Sequence, residues 1–429
     1  TYYADNENIC DREWQYPVLN LIKKTNVPVI PVFFQGSNSR LYHILGRIHP
    51  VLKSAKLPSE LLNKKNKLIK IRIGNPIPVK DLKELGDISR FGRFIRAKTY
   101  LLGNPLEVKK IFRRPHFKAK KVEDIILPVK TELLINEVKN ASSKYQLFDN
   151  NNYSVFCAPS YEIPHILTEI GRLREITFRA IGEGTNRSTD LDEYDIYYHQ
   201  LVIWDEKEKK IVGAYRIGKG REIFNSYGIR GFYIQSLFRI GRKFHPVIKE
   251  SIELGRSFIV EEYQKKPMSL FLLWKGILYF FLKHPEYRYL VGPVSISNEF
   301  SKFSKDLIVD FIKNNFYNHE FARHIKPRQE FIVESDMEVV KDIFIESNSD
   351  NLGHLDKIIK DIEPKYSMPV LLKKYLKLNA RIIGFNIDPK FNDALDGLLI
   401  LDIYDVPMNI IESLSKELND DSILKRFNH

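Results

Sequence analysis

Three consecutive stretches near the middle of the chain decide its fold: ELGRSFIV at 253–260, MSLFLLWKGILYFFL at 268–282 and YLVGPVSI at 289–296. The first, which ends in the apolar residues FIV, and the third, which is mostly apolar, are both short and predict strands. The second is long enough for a buried helix, but it contains Lys275 and falls short of the roughly 18 apolar residues of a membrane span. A strand, a helix and another strand in this order predict a mixed α/β sheet.

The segments upstream add further elements. Residues 200–204 and 211–217 are β-rich and flank the polar stretch DEKEKK, which predicts a hairpin. Nearer the N-terminus, VPVIPVFF at 27–34 and residues 68–73 predict two strands. A basic amphipathic helix is expected over 88–102, because Gly, Asn and Pro follow it.

Length and composition indicate how many domains the chain contains. With 429 residues the chain is too long for one ordinary core, and 43% hydrophobic and 12% aromatic residues describe a globular protein. The polar stretch DNNN at 149–152 is the best linker candidate. We therefore predict an α/β domain over 1–125, a linker over 126–152 and a second α/β domain over 153–429. The chain begins at Thr1 in a stretch typical of a domain interior, so we expect a fragment.

Several classes of protein are disfavoured. Cys10 and Cys157 are far apart and form no CxxC pair, so neither a disulfide framework nor a zinc finger is expected, and a reducing cytoplasm fits best. His319 and His324 are one residue further apart than the helical zinc-protease motif requires. We predict no metal site and no bound cofactor.

The net charge of +13 is concentrated in one segment. Residues 90–121 contain eleven basic residues against one acid, Glu107, with aromatic residues interleaved. Such a segment suits anionic lipid headgroups or nucleic acid, and no zinc-finger, RNP or recognition-helix pattern accompanies it. We expect an anionic membrane surface and no nucleic acid as the partner; a merely solvated basic face is the alternative.

Four motifs occur in order in the second predicted domain: Arg174-x-x-x-Phe178, Asp190-x-Asp192-x-x-Asp195, Gly213-Ala-Tyr-Arg216 and Glu253-Leu-Gly-Arg256. Together they resemble the acyl-homoserine-lactone synthases. Later matches resemble more closely the hemolysin-like bacterial N-acyltransferases that make ornithine or glycine lipids: Leu272-Leu-Trp-x-Gly-Ile277, Leu371-Leu-x-x-Tyr-Leu376 and Asp388-Pro-x-Phe391 with Asp396. The resemblance covers roughly residues 155–410. It implies a GNAT-like mixed sheet with helices and transfer of a (3-hydroxy)acyl group to the amine of an amino acid.

This chemistry assigns roles to the motif residues. An amine must lose a proton before it attacks an acyl thioester, so a carboxylate is needed as base, and Glu253 and Asp192 are the catalytic candidates. Arginines at three positions are expected to order the acidic loop and to hold a substrate carboxylate, with ordinary ion pairing as the alternative. The predicted substrate-binding set is Arg174, Phe178, Asp190, Asp195, His199, Arg216 and Arg256. His199 either orients a carboxylate or makes a structural hydrogen bond.

The acyl donor is expected along the strand that begins at Glu253. In the GNAT folds that this chain resembles, that strand splays from its neighbour, and free backbone groups bind the pantetheine arm. The predicted donor-binding residues are Phe258, Val260, Gln264, Lys265 and Lys266. Because a Gln-x-x-Gly-x-Gly phosphate cradle is missing, acyl carrier protein is expected as the co-substrate rather than coenzyme A. The basic aromatic stretch at 230–243 would dock that acidic carrier or lie on the membrane.

The N-terminal part resembles another family. DREW at 11–14, VPVIPVFF and IRIGNPI at 71–77 resemble the later half of lysophospholipid (glycerolipid-type) acyltransferases. That chemistry needs a His and an Asp five positions apart, and none of the eleven histidines meets this: His43 precedes Ile48, for example. The resemblance therefore implies a truncated, inactive α/β O-acyltransferase domain.

Two other functions stay open at this point. One is an inactive, membrane-peripheral binding module, and the other is a synthase of acyl-homoserine-lactone signals. The favoured function, lipid-making acyl transfer, places the protein in the cytoplasm on the inner face of the cytoplasmic membrane.

Overall fold

The computed structural model describes residues 2–3, 8–9, 14–103, 122–333 and 352–427, without positions 37, 40, 43, 44, 46, 47, 66, 67 and 84. The chain divides into two compact units. Unit 1 consists of Thr1–Arg114, Ser301–Phe311 and Val333–Ser367, and unit 2 consists of Pro115–Phe300, Ile312–Ile332 and Met368–His429.

The strands are, in chain order, β1 (Tyr2–Tyr3), β2 (Asn8–Ile9), β3 (Val32–Phe34), β4 (Ile71–Ile73), β5 (Gln146–Asn150), β6 (Tyr153–Pro159), β7 (His199–Asp205), β8 (Lys210–Lys219), β9 (Phe238–Ile240), β10 (Ser251–Ile259), β11 (Tyr289–Ile296), β12 (Ile325–Pro327), β13 (Arg381–Asp388) and β14 (Ala394–Asp402).

The helices are α1 (Tyr16–Thr25), α2 (Pro50–Leu62), α3 (Val79–Lys83), α4 (Ile88–Leu101), α5 (Thr131–Tyr145), α6 (Pro164–Ala180), α7 (Gly220–Tyr227), α8 (Ile234–Leu237), α9 (His245–Lys249), α10 (Glu261–Gln264), α11 (Pro267–Leu282), α12 (Lys302–Asn315), α13 (His319–Ala322), α14 (Leu352–Ile362), α15 (Val370–Lys377) and α16 (Met408–Leu418). Within the described ranges, none of these helices is long and apolar enough to cross a bilayer.

Unit 1 contains the predicted basic helix and a small sheet. The helix predicted over 88–102 is α4, and the Asp87 side chain caps it by accepting hydrogen bonds from two backbone N–H groups of its first turn. Its apolar face buries Phe91 and Ile95 against Leu19 of α1. Strands β3 and β4 pair antiparallel and are shorter than predicted. Prolines in VPVIPVFF have no N–H to donate to a strand ladder, so regular pairing starts only after them.

Unit 2 is built on an eight-stranded mixed sheet with the order β13-β14-β11-β10-β8-β7-β6-β5. Its neighbours are antiparallel except for β10 and β11, which run parallel because α11 connects them across one face of the sheet. The predicted hairpin is β7 and β8, and the predicted helix and strand are α11 and β11. The expected mixed α/β fold is confirmed.

Residues 126–152, predicted to be a linker, contain ordered elements of unit 2. Helix α5 buries Leu134, Val138 and Ala141, which lie on one face at helical spacing. Strand β5 pairs with β6 at the edge of the sheet, and Asn151 between them has φ 52°. The polar stretch is therefore a tight turn, because Asn adopts the left-handed conformation at little cost. The division into domains that we predicted from sequence remains a prediction.

Candidate active site

A gap between two parallel strands shapes the site. Strands β10 and β11 pair over three residues only: Ser251–Glu253 of β10 pair with Tyr289–Val291 of β11. A side chain at Gly292 would place its Cβ 2.4 Å from the Leu254 carbonyl oxygen, so the strands touch at this point. Beyond it β10 continues to Ile259 without pairing to β11. The splay expected from the resemblance is confirmed, and it leaves strand-edge backbone groups facing a gap.

A β-bulge lies at the start of this gap. Between Gly255 and Phe258, β10 carries one residue more than β8 opposite it. Arg256, inside the bulge, has φ 56°, a left-handed conformation that is uncommon for residues other than glycine. Bulges often redirect side chains next to functional sites. Here the bulge places Arg256 where it both lines a cavity and reaches the acidic loop of residues 190–195.

Buried ion pairs hold that acidic loop in place. The Arg174 guanidinium lies 2.9 Å from Asp195, and that of Arg216 lies 2.6 Å from Asp192 and 3.3 Å from Asp195. Gln200 joins the group by accepting a hydrogen bond from Arg174 and donating one to Asp195. Although burial opposes ionisation, Arg174 and Arg216 hold the pKa of Asp195 well below its usual value. The arginines and aspartates that we predicted from the sequence to interact are therefore in contact, and Arg174 and Arg216 hold the acidic loop in place.

Arg256 completes this network from the cavity side. Its guanidinium lies 3.2 Å from Asp190 and 3.3 Å from Asp192, so it bridges two carboxylates. Arg174 and Arg216 have side chains that are 0% and 1% exposed, which closes them to a substrate. Of the three arginines, Arg256 is the one that lines the cavity, and its predicted contact with a substrate carboxylate remains a prediction.

Glu253 is buried beside this network and has a different set of partners. Its carboxylate accepts hydrogen bonds from the backbone N–H of Ile234 (2.7 Å), the backbone N–H of Tyr233 (3.3 Å) and the Tyr198 hydroxyl. No ion pair to Glu253 occurs in the described part of the chain. Burial raises its pKa to about 7, and the hydrogen bonds oppose that rise. A carboxyl group with this pKa is suited to exchange protons near neutral pH.

The cavity in the strand gap has a volume of about 280 Å³. Its polar lining comes from Arg256, two tyrosines, two serines and three carboxylates; the tyrosines are Tyr215 and Tyr233, and the carboxylates are Glu183, Asp388 and Asp396. Burial raises the pKa of Asp396 to about 7 and that of Glu183 to about 7. Across the described residues, no group of three or more His, Cys, Asp or Glu side chains is arranged to hold a metal ion.

The other predicted residues are distributed around the cavity and the strand end. Phe178 lines the cavity, whereas Glu253, Asp192 and the remaining predicted residues apart from Arg256 are not in its lining. Phe258 and Val260 are buried, and the Val260 N–H donates to the Val212 carbonyl on the β8 side of the sheet. The side chains predicted to bind the donor lie at α10 and just after it: Gln264 donates to the Ile259 carbonyl, Lys265 is exposed, and Lys266 lies over the Tyr263 ring at 4.0 Å.

His199 makes no hydrogen bond or ion pair to a carboxylate of the described residues. It pairs with Pro159 in the sheet, and its Nδ1 is buried with no hydrogen-bond partner in the described structure. Burial lowers its pKa to about 3, and the nearby Lys219 adds to this effect. The imidazole is therefore neutral at physiological pH.

Comparison with known proteins agrees with this geometry. Residues 173–275 match the family described as acetyltransferase (GNAT) domain, and residues 5–109 match the family described as acyltransferase. Two curated relatives, the glycine N(alpha)-acyltransferases of Bacteroides thetaiotaomicron and Phocaeicola vulgatus, are each 30% identical to the chain. These alignments cover 65% of this chain and 86% and 89% of the relatives.

The chain belongs to the GNAT-type N-acyltransferases. It is an enzyme that combines this domain with an acyltransferase domain. Members of such a family use an acyl donor as co-substrate and require no bound cofactor. No solved structure matches the chain significantly.

Several residues of this candidate site are not predicted from the sequence. Tyr198 and Tyr233 contact Glu253 through a hydroxyl and a backbone N–H, and nothing in the sequence distinguishes them from core tyrosines. Asp388 and Asp396 were noted only as family matches. Asp396 carries a usable signal, because it lies inside the apolar run ALDGLLIL, where an ionisable residue is unusual. Glu183 follows Gly182 (φ 74°) in what sequence alone suggests is an ordinary turn.

Proposed function

We propose that this enzyme transfers an acyl group from a thioester to the amine of a small amino acid, with glycine as the first acceptor to test. The gap between β10 and β11 carries this proposal, because it joins unpaired strand-edge groups to a cavity with charged side chains. The names of the two curated relatives support an amino-acid acceptor.

The reaction needs three contributions from the protein. The extended arm of the donor would bind along the free edge of β10, which places the thioester carbonyl in the gap. The neutral amine attacks that carbonyl, the C–S bond breaks, an amide forms, and the released thiolate takes up a proton. Glu253 is our first candidate for the base, since its pKa of about 7 fits and no cation pairs with it in the described structure. Because Glu253 is absent from the described cavity lining, the proton would pass through a hydroxyl or a water.

Asp192 is the second candidate for the base. It contacts both Arg216 and Arg256, and it also caps the short 3₁₀ helix Glu193–Ile196. These contacts engage both of its oxygens in ordering the loop. We therefore rank it after Glu253.

For the donor, we propose acyl carrier protein. The basic stretch at 230–243 presents Arg230, Arg239, Arg242 and Lys243 to solvent, whereas Phe232 and Phe238 are 0% exposed. A segment that buries its aromatic residues in the core has little apolar surface to insert into a bilayer. Its exposed charge is suited to an acidic protein partner.

Thiol release tests the proposed function. Purified protein with acyl-carrier-protein thioesters and glycine or ornithine should release free thiol, and the same acyl group on coenzyme A should react more slowly. Reactions without amino acid measure background hydrolysis. If no amino acid raises thiol release above that background, the transferase proposal is wrong.

We also propose that unit 1 binds to the anionic inner face of the cytoplasmic membrane. Leu61, Leu68 and Ile73 are 77%, 86% and 72% exposed, so this unit has apolar surface available for such contact. Lys98 of the basic segment does not contribute, because it is buried and pairs with Asp361 at 3.0 Å. Residues 104–121 of that segment lie outside the described residues.

Neutralising basic residues of the 90–121 segment should weaken binding to anionic vesicles. Each basic residue near such a surface contributes on the order of 1 kcal/mol, and high salt should weaken binding likewise. Vesicle sedimentation measures this, with two lysines of the β7–β8 turn, the exposed Lys207 and the half-buried Lys209, changed to Gln as the control. Sedimentation that responds to neither treatment would show that the segment is only a solvated face.

A further inference from the structure

The described lining of the candidate active-site cavity contains more carboxylates than cations. Asp388 ends β13, Asp396 lies in β14, and Glu183 follows α6. The three carboxylates line the same cavity together with one cation, Arg256. That cation is already engaged, since it contacts Asp190 and Asp192 and stacks on the Phe391 ring at 4.3 Å.

Asp396 is a buried carboxylate that makes no ion pair with any described residue. Its residue is 3% exposed, and the Ser295 hydroxyl donates to its Oδ1 at 2.7 Å. Among the described residues, no other hydrogen bond and no ion pair reaches this side chain, although it borders the cavity. Glu183 likewise has no ion pair there. Burying an ionised carboxylate without a counter-charge is unfavourable, so a cation in the cavity would stabilise it.

The lining of the cavity combines carboxylates with apolar side chains. Apolar side chains of Phe178, Val294 and Leu371 form part of the wall, next to the carboxylates. A primary ammonium group on a short aliphatic stem matches both surfaces. We propose that Asp396, with Asp388 and Glu183, forms the binding subsite for the protonated amine of the acceptor. This inference deepens the proposed function and rests on it for the identity of the ligand.

The subsite implies a pH dependence of affinity. Burial raises the pKa of Asp396 to about 7; Asp388 and Glu183 add to the rise, and Arg256 opposes it. Tyr233 also lines the subsite, and its hydroxyl donates a hydrogen bond to Asp388 at 3.4 Å. An ammonium group binds the ionised carboxylate, so affinity for glycine should increase as pH rises from about 6 to 8. Binding in turn favours the ionised form of Asp396.

Calorimetric binding of glycine tests the subsite without requiring turnover. Asp396→Asn should weaken glycine binding at least tenfold and reduce the rise of affinity with pH, with Glu183 supplying the part that remains. Asp393→Asn is the matched control, because it removes the same charge from an exposed residue three positions earlier, and it should bind normally. Glycolate, which has a hydroxyl in place of the ammonium group, should bind weakly and equally to both variants.

Stability and the second variant keep the test decisive. Removing an unpaired buried charge should raise the melting temperature of Asp396→Asn at pH 8. If that variant does not fold, Glu183→Gln, at a partly exposed position, should still weaken glycine binding.

Two binding results would overturn the subsite: no glycine binding by the wild type, or equal binding by the wild type, Asp396→Asn and Glu183→Gln. Turnover of glycine with unchanged affinity in Asp396→Asn would overturn it while leaving the transferase proposal intact. Conversely, Asp396-dependent binding without turnover would support the subsite and contradict the transferase proposal.

Discussion

Replacing Glu253 with Gln should lower the rate of acyl transfer by about 10²- to 10⁴-fold, the usual contribution of a general base. Gln keeps the size of the side chain, and its carbonyl oxygen can still accept the Ile234 N–H hydrogen bond. It cannot take up the amine proton. The loss should therefore fall on kcat, whereas affinity for glycine should stay close to that of the wild type.

The pH profile separates a base from a positioning role. With a pKa of about 7, Glu253 is ionised only above neutral pH, so kcat of the wild type should rise through about pH 7 and level off. The profile of Glu253→Gln should be flat. The proposed ammonium subsite does not produce the same rise in kcat, because bound ammonium keeps Asp396 ionised across this range.

Stability gives an independent readout of the same change. The folded pKa of Glu253 is above its ordinary value of 4.5, so the folded state binds more protons than the unfolded state between about pH 4.5 and 7. The stability from this group is present below that window and is lost as pH rises through it. Glu253→Gln should remove this pH dependence, and Glu250→Gln, at an exposed position before β10, is the control. A variant that melts early with normal activity per folded molecule would transfer the role of base to Asp192.

Replacing Arg174 with Ala should destabilise the protein by about 3–5 kcal/mol, because it leaves the buried carboxylate of Asp195 with less compensation. Both partners are nearly inaccessible, with side chains 0% and 3% exposed. Gln200 also loses the donor for its side-chain oxygen. The acidic loop that positions Arg256 should loosen, so activity should fall as well. Urea unfolding measures the free-energy change.

An exposed ion pair provides the control for this prediction. Lys144 and Glu162 are separated by 3.1 Å, close to the 2.9 Å of the buried pair, but their side chains are 62% and 29% exposed. Lys144→Ala should therefore change the unfolding midpoint little. A double variant, Arg174→Met with Asp195→Asn, should recover part of the lost stability, because no buried charge is left unpaired. Equal effects of Arg174→Ala and Lys144→Ala would show that the buried network does not stabilise the loop.

The sequence by itself determined the local elements of unit 2 and the meeting of the charged motifs. Hairpin β7–β8, helix α11 and strand β11 follow from periodicity and polar turns, which are properties of neighbouring residues. Arg174, Asp195 and Arg216 could be grouped because the order of their motifs resembles that of a known family.

Only the tertiary structure decided what faces the cavity. Ser295 and Asp396 are 101 positions apart and become neighbours because β11 pairs with β14. The same pairing leaves Asp396 without an ion pair among the described residues, whereas Glu253 on β10 accepts hydrogen bonds from the backbone N–H groups of Tyr233 and Ile234. Residues 146–150, at the other edge of the sheet, also depend on pairing: this stretch, predicted to be linker, forms strand β5 because it pairs with β6. Side-chain type and spacing cannot specify such contacts, because strand order in a sheet is set by packing between distant segments of the chain.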